Sequence, residues 1–492
     1  MAVAIGGGPR PASGDPSGIS RMWTSGLVLA ALGIGVLAGL EPALALAGAV
    51  GLAVIFIAAA DLTLGLCMFI FFAFIEGIAS GAAGVADLMK VFGLLLGLSW
   101  LATLAFRPES RNIFLTDHPV GALALVGFMT WAGVSLAWGD SLDAGTEAVM
   151  RYGLNAALLL IAYTALNDRK RVLWVIAAFV LGATVNAVYG IAFPPDADAG
   201  GISRAEGGAG TPHEFATMLA AGMFFGGALL AAKSNPRWMR VLGAAVIPLA
   251  LAGISLSLSR AGLVALGCAV VAAVALGGRW RTKMIAFALV LLIPIAGYYT
   301  LVAGEEAAER ISTAGDGSGR TTLWQVGWRI IEDNSVMGVG VGNYKENVIH
   351  YVVQAGAILR NDLVVEKALI PHNVYIHITA EMGVVGLALF LGLVAYAFFS
   401  AVRAARTFAS TGDLTLELVS RACVVILVAI SAGNFFSSQQ FNKQFWFLMA
   451  LGPALLALSR RQAASPPPPR LSRAQAWAER QDRRLPVLRT PS

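Results

Sequence analysis

The sequence predicts an all-α polytopic membrane protein. Hydrophobic residues make up 57% of its 492 residues and charged residues only 13%, a balance that water-soluble domains of this length do not show. The apolar residues form continuous runs of about 17 to 25 residues, long enough to span a bilayer as helices. A transmembrane barrel would need shorter segments of alternating polarity. We therefore expect about 12 to 14 transmembrane helices.

The apolar runs follow one another through most of the chain. The first run, 22–40, is followed by Ala43-Leu44-Ala45, which resembles a signal-peptidase site. We favour a spanning helix over a cleaved signal because the run is long and a second run follows at once. The predicted spans are 22–40, 43–60, 62–75, 88–106, 119–138, 152–166, 172–193, 215–232, 241–255, 262–276, 284–302, 374–400, 419–436 and 445–458.

Basic residues cluster in every second connection between these runs, and the other connections are acidic or nearly uncharged. The clusters lie at 107–111, 169–171, 233–240, 279–283 and 403–406. Cytoplasmic connections carry such an excess of Lys and Arg, so both termini are expected in the cytoplasm. The formal net charge of +6 is the sum of these clusters and a basic tail, so we expect no nucleic-acid partner.

The same alternation places a long polar interval, residues 303–371, on the outer face of the membrane. In a diderm bacterium this face is the periplasmic one. We expect a disordered cytoplasmic N-terminus over 1–21, N-terminal transmembrane helices over 22–302, a large periplasmic loop with amphipathic helices over 303–371 and C-terminal transmembrane helices over 372–459. A disordered basic cytoplasmic tail with eight arginines is expected over 460–492.

Two features stand out within the predicted loop. Residues 320–333 predict an amphipathic helix on the membrane surface, with both tryptophans at headgroup level. Its predicted apolar face consists of Leu323, Trp324, Gly327, Trp328 and Ile331. The glycines at 338, 340 and 342 predict a turn, but neither a Walker loop nor a dinucleotide fingerprint surrounds them.

Two arginines on the predicted outer face are candidate ligands of a phosphate. Arg260 lies between two apolar spans, and Arg204 lies beside Glu206 in a connection that continues with the glycines of 207–210. A guanidinium offers a bidentate fork to a lipid-linked phosphate, and the glycines would let the backbone approach a ligand. The alternatives are an Arg260 that snorkels to headgroups and an Arg204 paired with Glu206.

His372 lies where the polar interval re-enters the membrane, directly before an apolar run. An imidazole there could act as a general base on a hydroxyl, although a lone histidine is more often an ordinary interfacial residue. We predict no metal site, because His377 is not at helical spacing from His372 and no Cys or carboxylate cluster accompanies them. His213 and Glu214 could cap the next span or line the same cavity, and we favour the structural role.

One spaced pattern is more specific than these single residues. His372-Asn373, then nine free positions, Gly383, two free positions and Gly386 match a pattern of the O-antigen ligase and O-antigen polymerase superfamily of bacterial inner-membrane glycosyltransferases. The chain resembles that superfamily well over 204–458 and only by topology before it. Further residues that look like the family are Ser259-Arg260-Ala261, Arg320, Trp324, Gly338, Gly340, Gly342 and Asn343.

The resemblance implies a GT-C type glycosyltransferase fold and a periplasmic active site. It implies transfer of a glycan from undecaprenyl pyrophosphate to a hydroxyl acceptor, with inversion and without metal, nucleotide sugar or other cofactor. His372 would be the base, and Arg204 and Arg260 would hold the pyrophosphate. Asn373, Glu381, Arg320 and His213 are possible supporting residues, with Asn373 and Glu381 orienting His372.

Among acceptors we favour lipid A-core, which makes the protein an O-antigen ligase in contact with membrane lipids. The alternatives are an O-antigen or exopolysaccharide polymerase, whose acceptor is another lipid-linked glycan, and a protein O-glycosyltransferase. A lipid or glycan transporter is the alternative of another class. We disfavour it because the predicted spans hold almost no mid-membrane ionisable residues for ion coupling.

Overall fold

The computed structural model describes residues 61–79, 85–106, 113–196, 203–302, 320–352 and 370–464. All regular structure in these residues is helical. Eight of the described helices are long and apolar enough to cross a membrane, and three shorter apolar helices accompany them. The predicted fold class, an all-α polytopic membrane protein, is therefore confirmed.

The helices before the polar interval follow the predicted order. They are α1 (Leu62–Ala79), α2 (Val85–Phe106), α3 (Pro119–Val134), α4 (Leu142–Ala165), α5 (Arg169–Ala192), α6 (Pro212–Ala231), α7 (Arg237–Leu256), α8 (Arg260–Ala275) and α9 (Arg281–Gly297). A four-residue helix and single turns lie between them, at Phe114–Asp117, Ser135–Trp138, Gly207–Ala209, Gly278–Trp280 and Tyr298–Val302.

Two shorter helices and three long ones complete the described chain. They are α10 (Arg320–Asp333), α11 (Tyr344–Val352), α12 (Val374–Thr411), α13 (Leu414–Gly433) and α14 (Lys443–Ala464). Each predicted span from 62–75 onward coincides with a helix. The predictions for 1–60, 107–111, 303–319 and the tail beyond 464 concern residues outside the described part.

Helices α4 and α12 extend furthest beyond the apolar runs that predicted them. The fourth helix begins at Leu142 rather than at 152, because Ser141 caps it by accepting a hydrogen bond from the Ala144 N–H at 3.3 Å. Helix α12 continues to Thr411 and ends at Gly412, which has φ 85°. An apolar run predicts only the part of a helix that faces lipid or protein. Both helices continue beyond that part as polar turns.

Helix α12 is broken at Gly383, where φ is 67°. The backbone of 335–340 pairs with the break. The N–H groups of Val339 and Gly340 donate to the carbonyls of Ala380 and Glu381, both at 2.9 Å, and the Val384 N–H donates to Ser335 at 2.9 Å. A side chain at Gly383 would collide with the Val336 backbone. The glycine of the family pattern therefore lets the polar interval dock onto α12.

The predicted glycine turn is confirmed, since Gly338, Gly340 and Gly342 have φ of 70°, 95° and 76°. A Cβ at Gly340 would lie 2.6 Å from the Cα of Gly139. Asn343 then fastens the turn to the start of α4, because its Oδ1 accepts from the Ser141 N–H at 2.6 Å. The glycines thus serve close backbone packing between the polar interval and the first half of the chain.

Helix α10 has the predicted bounds, and Leu323, Gly327 and Ile331 of the predicted apolar face are buried as expected. Leu323, Val326 and Ile330 form a small core with residues of α11 and the start of α12. Trp328, which we placed on the apolar face, is 57% exposed. The predicted contact of this helix with the membrane surface stays a prediction for Trp328, whereas the apolar face itself packs against protein.

The connections gather into two groups according to their charge. Arg169 bonds Asp413 at 3.2 Å and Arg279 pairs with Glu417, so three basic connections meet at one end of the helices. At the other end the Ala205 N–H donates to the Leu256 carbonyl at 3.1 Å. The described part thus has a basic end and an opposite end that holds the predicted site residues.

Gly383→Ala is expected to destabilise the protein because of its left-handed backbone and the collision with Val336. The strain alone costs about 1–3 kcal/mol. The control is Gly392→Ala in the same helix, where a Cβ would have no neighbour within 4 Å and alanine is the better helix former. Thermal unfolding in detergent measures both variants, and equal midpoints would contradict this account of the break.

Candidate active site

Two turns that hold predicted site residues contain a non-glycine residue with left-handed backbone. Leu258 has φ 47° and stands shortly before α8, and His372 has φ 48° and stands shortly before α12. Such a conformation costs a non-glycine residue about 1–3 kcal/mol, and strain of this kind concentrates at functional sites. The surrounding contacts must therefore over-determine both turns.

Asn373 fixes the start of the helix that follows His372. Its Oδ1 accepts from the N–H groups of Tyr375 at 2.9 Å and Ile376 at 3.1 Å, and the side chain is only 3% exposed. A capping side chain satisfies N–H groups that the first helical turn leaves without partners. Asn373 thus holds the first turn of α12, directly after His372.

Neighbouring segments hold the backbone on both sides of His372. The Trp324 indole N–H donates to the Pro371 carbonyl at 2.9 Å, and the Val374 N–H donates to the Asn434 carbonyl at 2.9 Å. The imidazole itself stays half-buried. Helix α10 and the connection after α13 therefore set the position of the His372 backbone.

A capped turn also carries Arg260. The Ser259 hydroxyl accepts from the Gly262 N–H at 3.1 Å, so α8 begins at Arg260. The guanidinium is exposed. The Ser-Arg-Ala step seen in the sequence is thus a helix start that projects an arginine from the same end of the helices as His372.

The connection that bears Arg204 is tied to the same turn. The Ala205 N–H donates to the carbonyl of Leu256 at 3.1 Å, which brings Arg204 to the C-terminal end of α7. Gly208, in the glycine-rich stretch, donates its N–H to Asn186 Oδ1 at 2.7 Å and packs against Gly77. We expected these glycines to admit a ligand, but the observed contacts are with α1 and α5.

Three arginines converge on this end of the protein. Burial, and then the positive charges of Arg260 and Arg204, lower the pKa of Arg320. Burial, and then the charge of Arg320, lower the pKa of His372 below the ordinary histidine value of about 6.5. His372 is therefore a neutral proton acceptor at neutral pH, next to a group of cations that an anion would stabilise.

His213 lies in the same region. Its Nε2 is 2.9 Å from the Ser437 hydroxyl, and Arg204, Arg320 and His372 lie close enough to its ring to interact with it electrostatically. The ring therefore lines the region of the arginines. The helix cap that we favoured for His213 is not seen, since Thr211 is the N-cap residue of α6 and its hydroxyl donates to Glu214 at 3.2 Å.

A second histidine stands behind the first. His377 Nε2 is 3.1 Å from Glu381 Oε1, and Nδ1 is 3.1 Å from the Gln440 amide. All three side chains are buried, and His377 lies close enough to His372 for the two rings to interact electrostatically. We predicted that Glu381 orients His372, but the carboxylate bonds His377. The spacing of His377 and Glu381, four residues apart on one helix, was the signal that could have identified this pair.

The described residues contain no group of three or more His, Cys, Asp or Glu side chains that could hold a metal ion. The polar side chains at this end include arginines, histidines, amides and hydroxyls, together with the carboxylates of Glu214 and Glu381. Such a set offers hydrogen-bond donors to anions and a neutral imidazole to a hydroxyl. The arrangement can therefore bind a phosphate group and accept a proton next to it.

Asn373→Ala is expected to lower stability by about 0.5–2 kcal/mol, because the first turn of α12 loses its cap. The matched control is Asn373→Ser, whose hydroxyl can still cap and which should recover most of the loss. Thermal unfolding in detergent measures both. Equal destabilisation by alanine and serine would show that the cap does not hold the turn at His372.

Comparison with known proteins identifies part of the chain. A family model described as O-antigen ligase (Wzy_C) matches residues 244–391, a segment that includes Arg260, Arg320, His372, Gly383 and Gly386. A search of curated proteins found no match to the chain. The matched segment is less than a third of the chain, and it carries the pattern and the turns described above. The match supports the O-antigen ligase superfamily for this segment and does not distinguish a ligase from a polymerase.

Proposed function

We propose that the protein is an O-antigen ligase that transfers a glycan from undecaprenyl pyrophosphate to a hydroxyl of lipid A-core. The family match supports an O-antigen ligase type of activity in general. The observation that carries the finer proposal is that Arg204 and Arg260 lie close to Arg320, which in turn lies close to His372. In that arrangement the arginines can bind the pyrophosphate of the donor, and the imidazole can accept the proton of the acceptor hydroxyl.

The arginines are proposed to hold the pyrophosphate of the donor. Their mutual repulsion, which lowers the pKa of Arg320, is relieved when an anion binds among them. Guanidinium groups bind phosphate oxygens through paired hydrogen bonds. In a partly dehydrated site they would stabilise the charge that develops on the leaving pyrophosphate, a task that other transferases give to a divalent cation.

His372 is proposed to be the general base. The acceptor oxygen attacks the anomeric carbon of the donor glycan, the acceptor proton passes to the imidazole, and the bond from the anomeric carbon to the pyrophosphate oxygen breaks. Because attack and departure occur on opposite faces, the anomeric centre inverts. The lowered pKa of His372 supports this role, since the base must be neutral before it accepts the proton.

His377 and Glu381 are proposed to position this base rather than to react. Their buried pair joins the first turns of α12 to Gln440, in the connection after α13. The same connection supplies the Asn434 carbonyl to Val374. The pair thus ties the first turns of α12, which follow His372, to the connection after α13.

The site is proposed to face the periplasm from a multi-pass bacterial inner-membrane protein. The contacts group the basic connections at one end and the site at the other, and the positive-inside tendency assigns the basic end to the cytoplasm. Lipid-linked glycan and lipid A-core would then both reach the site from the outer leaflet. The GT-C fold and the single large periplasmic loop implied by the resemblance remain part of this proposal.

A strain that lacks this protein is expected to make lipid A-core without O-chain and to accumulate long glycan on undecaprenyl pyrophosphate. Complementation with the wild-type gene should restore both. The measurement is the lipopolysaccharide band pattern together with the lipid-linked glycan pool. Core that carries a single repeat unit would indicate a polymerase, and an unchanged lipopolysaccharide pattern would indicate an exopolysaccharide or glycoprotein product.

Arg204→Gln and Arg260→Gln are each expected to weaken binding of the lipid-linked donor. Hydrogen bonds to charged groups contribute about 1.5–3 kcal/mol, so the dissociation constant should rise about 10- to 100-fold. Lys345→Gln, which removes an exposed cation from α11, is the control and should leave the constant unchanged. Unchanged affinity in both arginine variants would refute the pyrophosphate site.

A further inference from the structure

A cavity of about 640 Å³ lies near the basic end of the helices, away from the candidate active site. Helices α6, α8, α9, α12 and α13 line it, chiefly with apolar side chains such as Phe224, Phe287 and Val425. Its volume falls in the range of about 300–1,000 Å³ that is usual for ligand pockets. Helices α6, α8 and α12 each begin at the candidate site and reach the cavity with their C-terminal parts.

The rim of this cavity carries positive charge. Its cationic lining residues are Lys283, Arg406 and Arg421. Arg279 lies beside them and forms an ion pair with Glu417. Glu417 is the carboxylate that bonds two of these cations, since Arg421 Nε lies 3.0 Å from its Oε1. One carboxylate does not balance four cations, so the rim keeps an excess of positive charge.

Within the described part of the chain, Arg279 and Arg421 form ion pairs with Glu417, whereas Lys283 and Arg406 form none. Arg421 also donates to the Leu276 carbonyl at 2.9 Å, and the Trp280 indole donates to Glu417 at 3.1 Å, so this group joins α13 to the turn before α9. Lys283 and Arg406 are exposed, and the Lys283 ammonium lies 4.3 Å from the centre of the Trp280 ring. These two cations are therefore available to an anion at the mouth.

We propose that this cavity binds one anionic phospholipid of the surrounding membrane. An acyl chain fits the apolar interior, which offers almost no hydrogen-bonding groups to water or to a polar ligand. The headgroup phosphate fits Lys283 and Arg406 at the rim, and cations of this kind attract anionic lipids near a membrane surface. The occupant is neither glycan donor nor acceptor, so the inference stands apart from the proposed function.

The test is native mass spectrometry of the purified full-length protein, titrated with phosphatidylglycerol or phosphatidylethanolamine. We expect one phosphatidylglycerol to be retained more tightly than phosphatidylethanolamine. The double variant Lys283→Gln with Arg406→Gln should bind phosphatidylglycerol roughly 25-fold more weakly than the wild type does, because each cation contributes roughly fivefold. The matched control is Lys170→Gln with Arg403→Gln, two exposed cations at the same end that do not line the cavity, and it should retain the lipid as the wild type does.

A steric variant keeps the proposal testable if the charge variant fails to fold. Ala275→Phe projects a ring from an exposed lining position and should reduce retention of phosphatidylglycerol while every rim cation remains. Equal retention of the two lipids by the wild type would overturn the proposal, as would equal losses in the two double variants. If inorganic phosphate bound at the same concentrations, the ligand would be a free anion rather than a lipid. This result would also overturn the proposal.

Discussion

The break of α12 at Gly383 is the constraint on which the site depends. Because this helix opens there, the backbone of 335–340 can pair with it. That pairing places α10, and α10 supplies the Trp324 indole that holds Pro371 and the Arg320 charge that lowers the pKa of His372. A glycine eleven residues after the histidine thus acts on the site through backbone packing rather than through contact with a substrate.

The site combines groups that disfavour one another until an anion arrives. Burial and the charges of Arg260 and Arg204 lower the pKa of Arg320, and burial and the charge of Arg320 lower the pKa of His372. A bound pyrophosphate would stabilise the arginines and leave the imidazole ready to accept a proton. The backbone strain at Leu258 and His372 is consistent with a geometry fixed before substrate binds, which lowers the cost of reorganisation in the transition state.

The sequence predicted the helices well because apolar runs report directly on membrane burial. It singled out His372, Arg260 and Arg204 because polar residues are unusual in such surroundings, and their roles stay predictions. It could not predict the kink at Gly383, since a glycine in an apolar run is equally compatible with a straight helix.

The sequence assigned Glu381 to His372, whereas the fold pairs that carboxylate with His377. Of the predicted apolar face of α10, Leu323, Gly327 and Ile331 are buried, whereas Trp328 is exposed and Val326 and Ile330 fill the core. Side-chain partners across helices depend on packing that periodicity does not encode.

The most direct test of the account is transfer by purified protein with a lipid-linked glycan donor and a hydroxyl acceptor, comparing His372→Ala with His350→Ala. His350 is an exposed histidine on α11, so its loss should leave transfer unchanged. The account predicts that His372→Ala keeps the unfolding midpoint and the donor affinity while transfer falls about 10²- to 10⁴-fold, the usual contribution of a general base. Transfer at the wild-type rate by His372→Ala would contradict it.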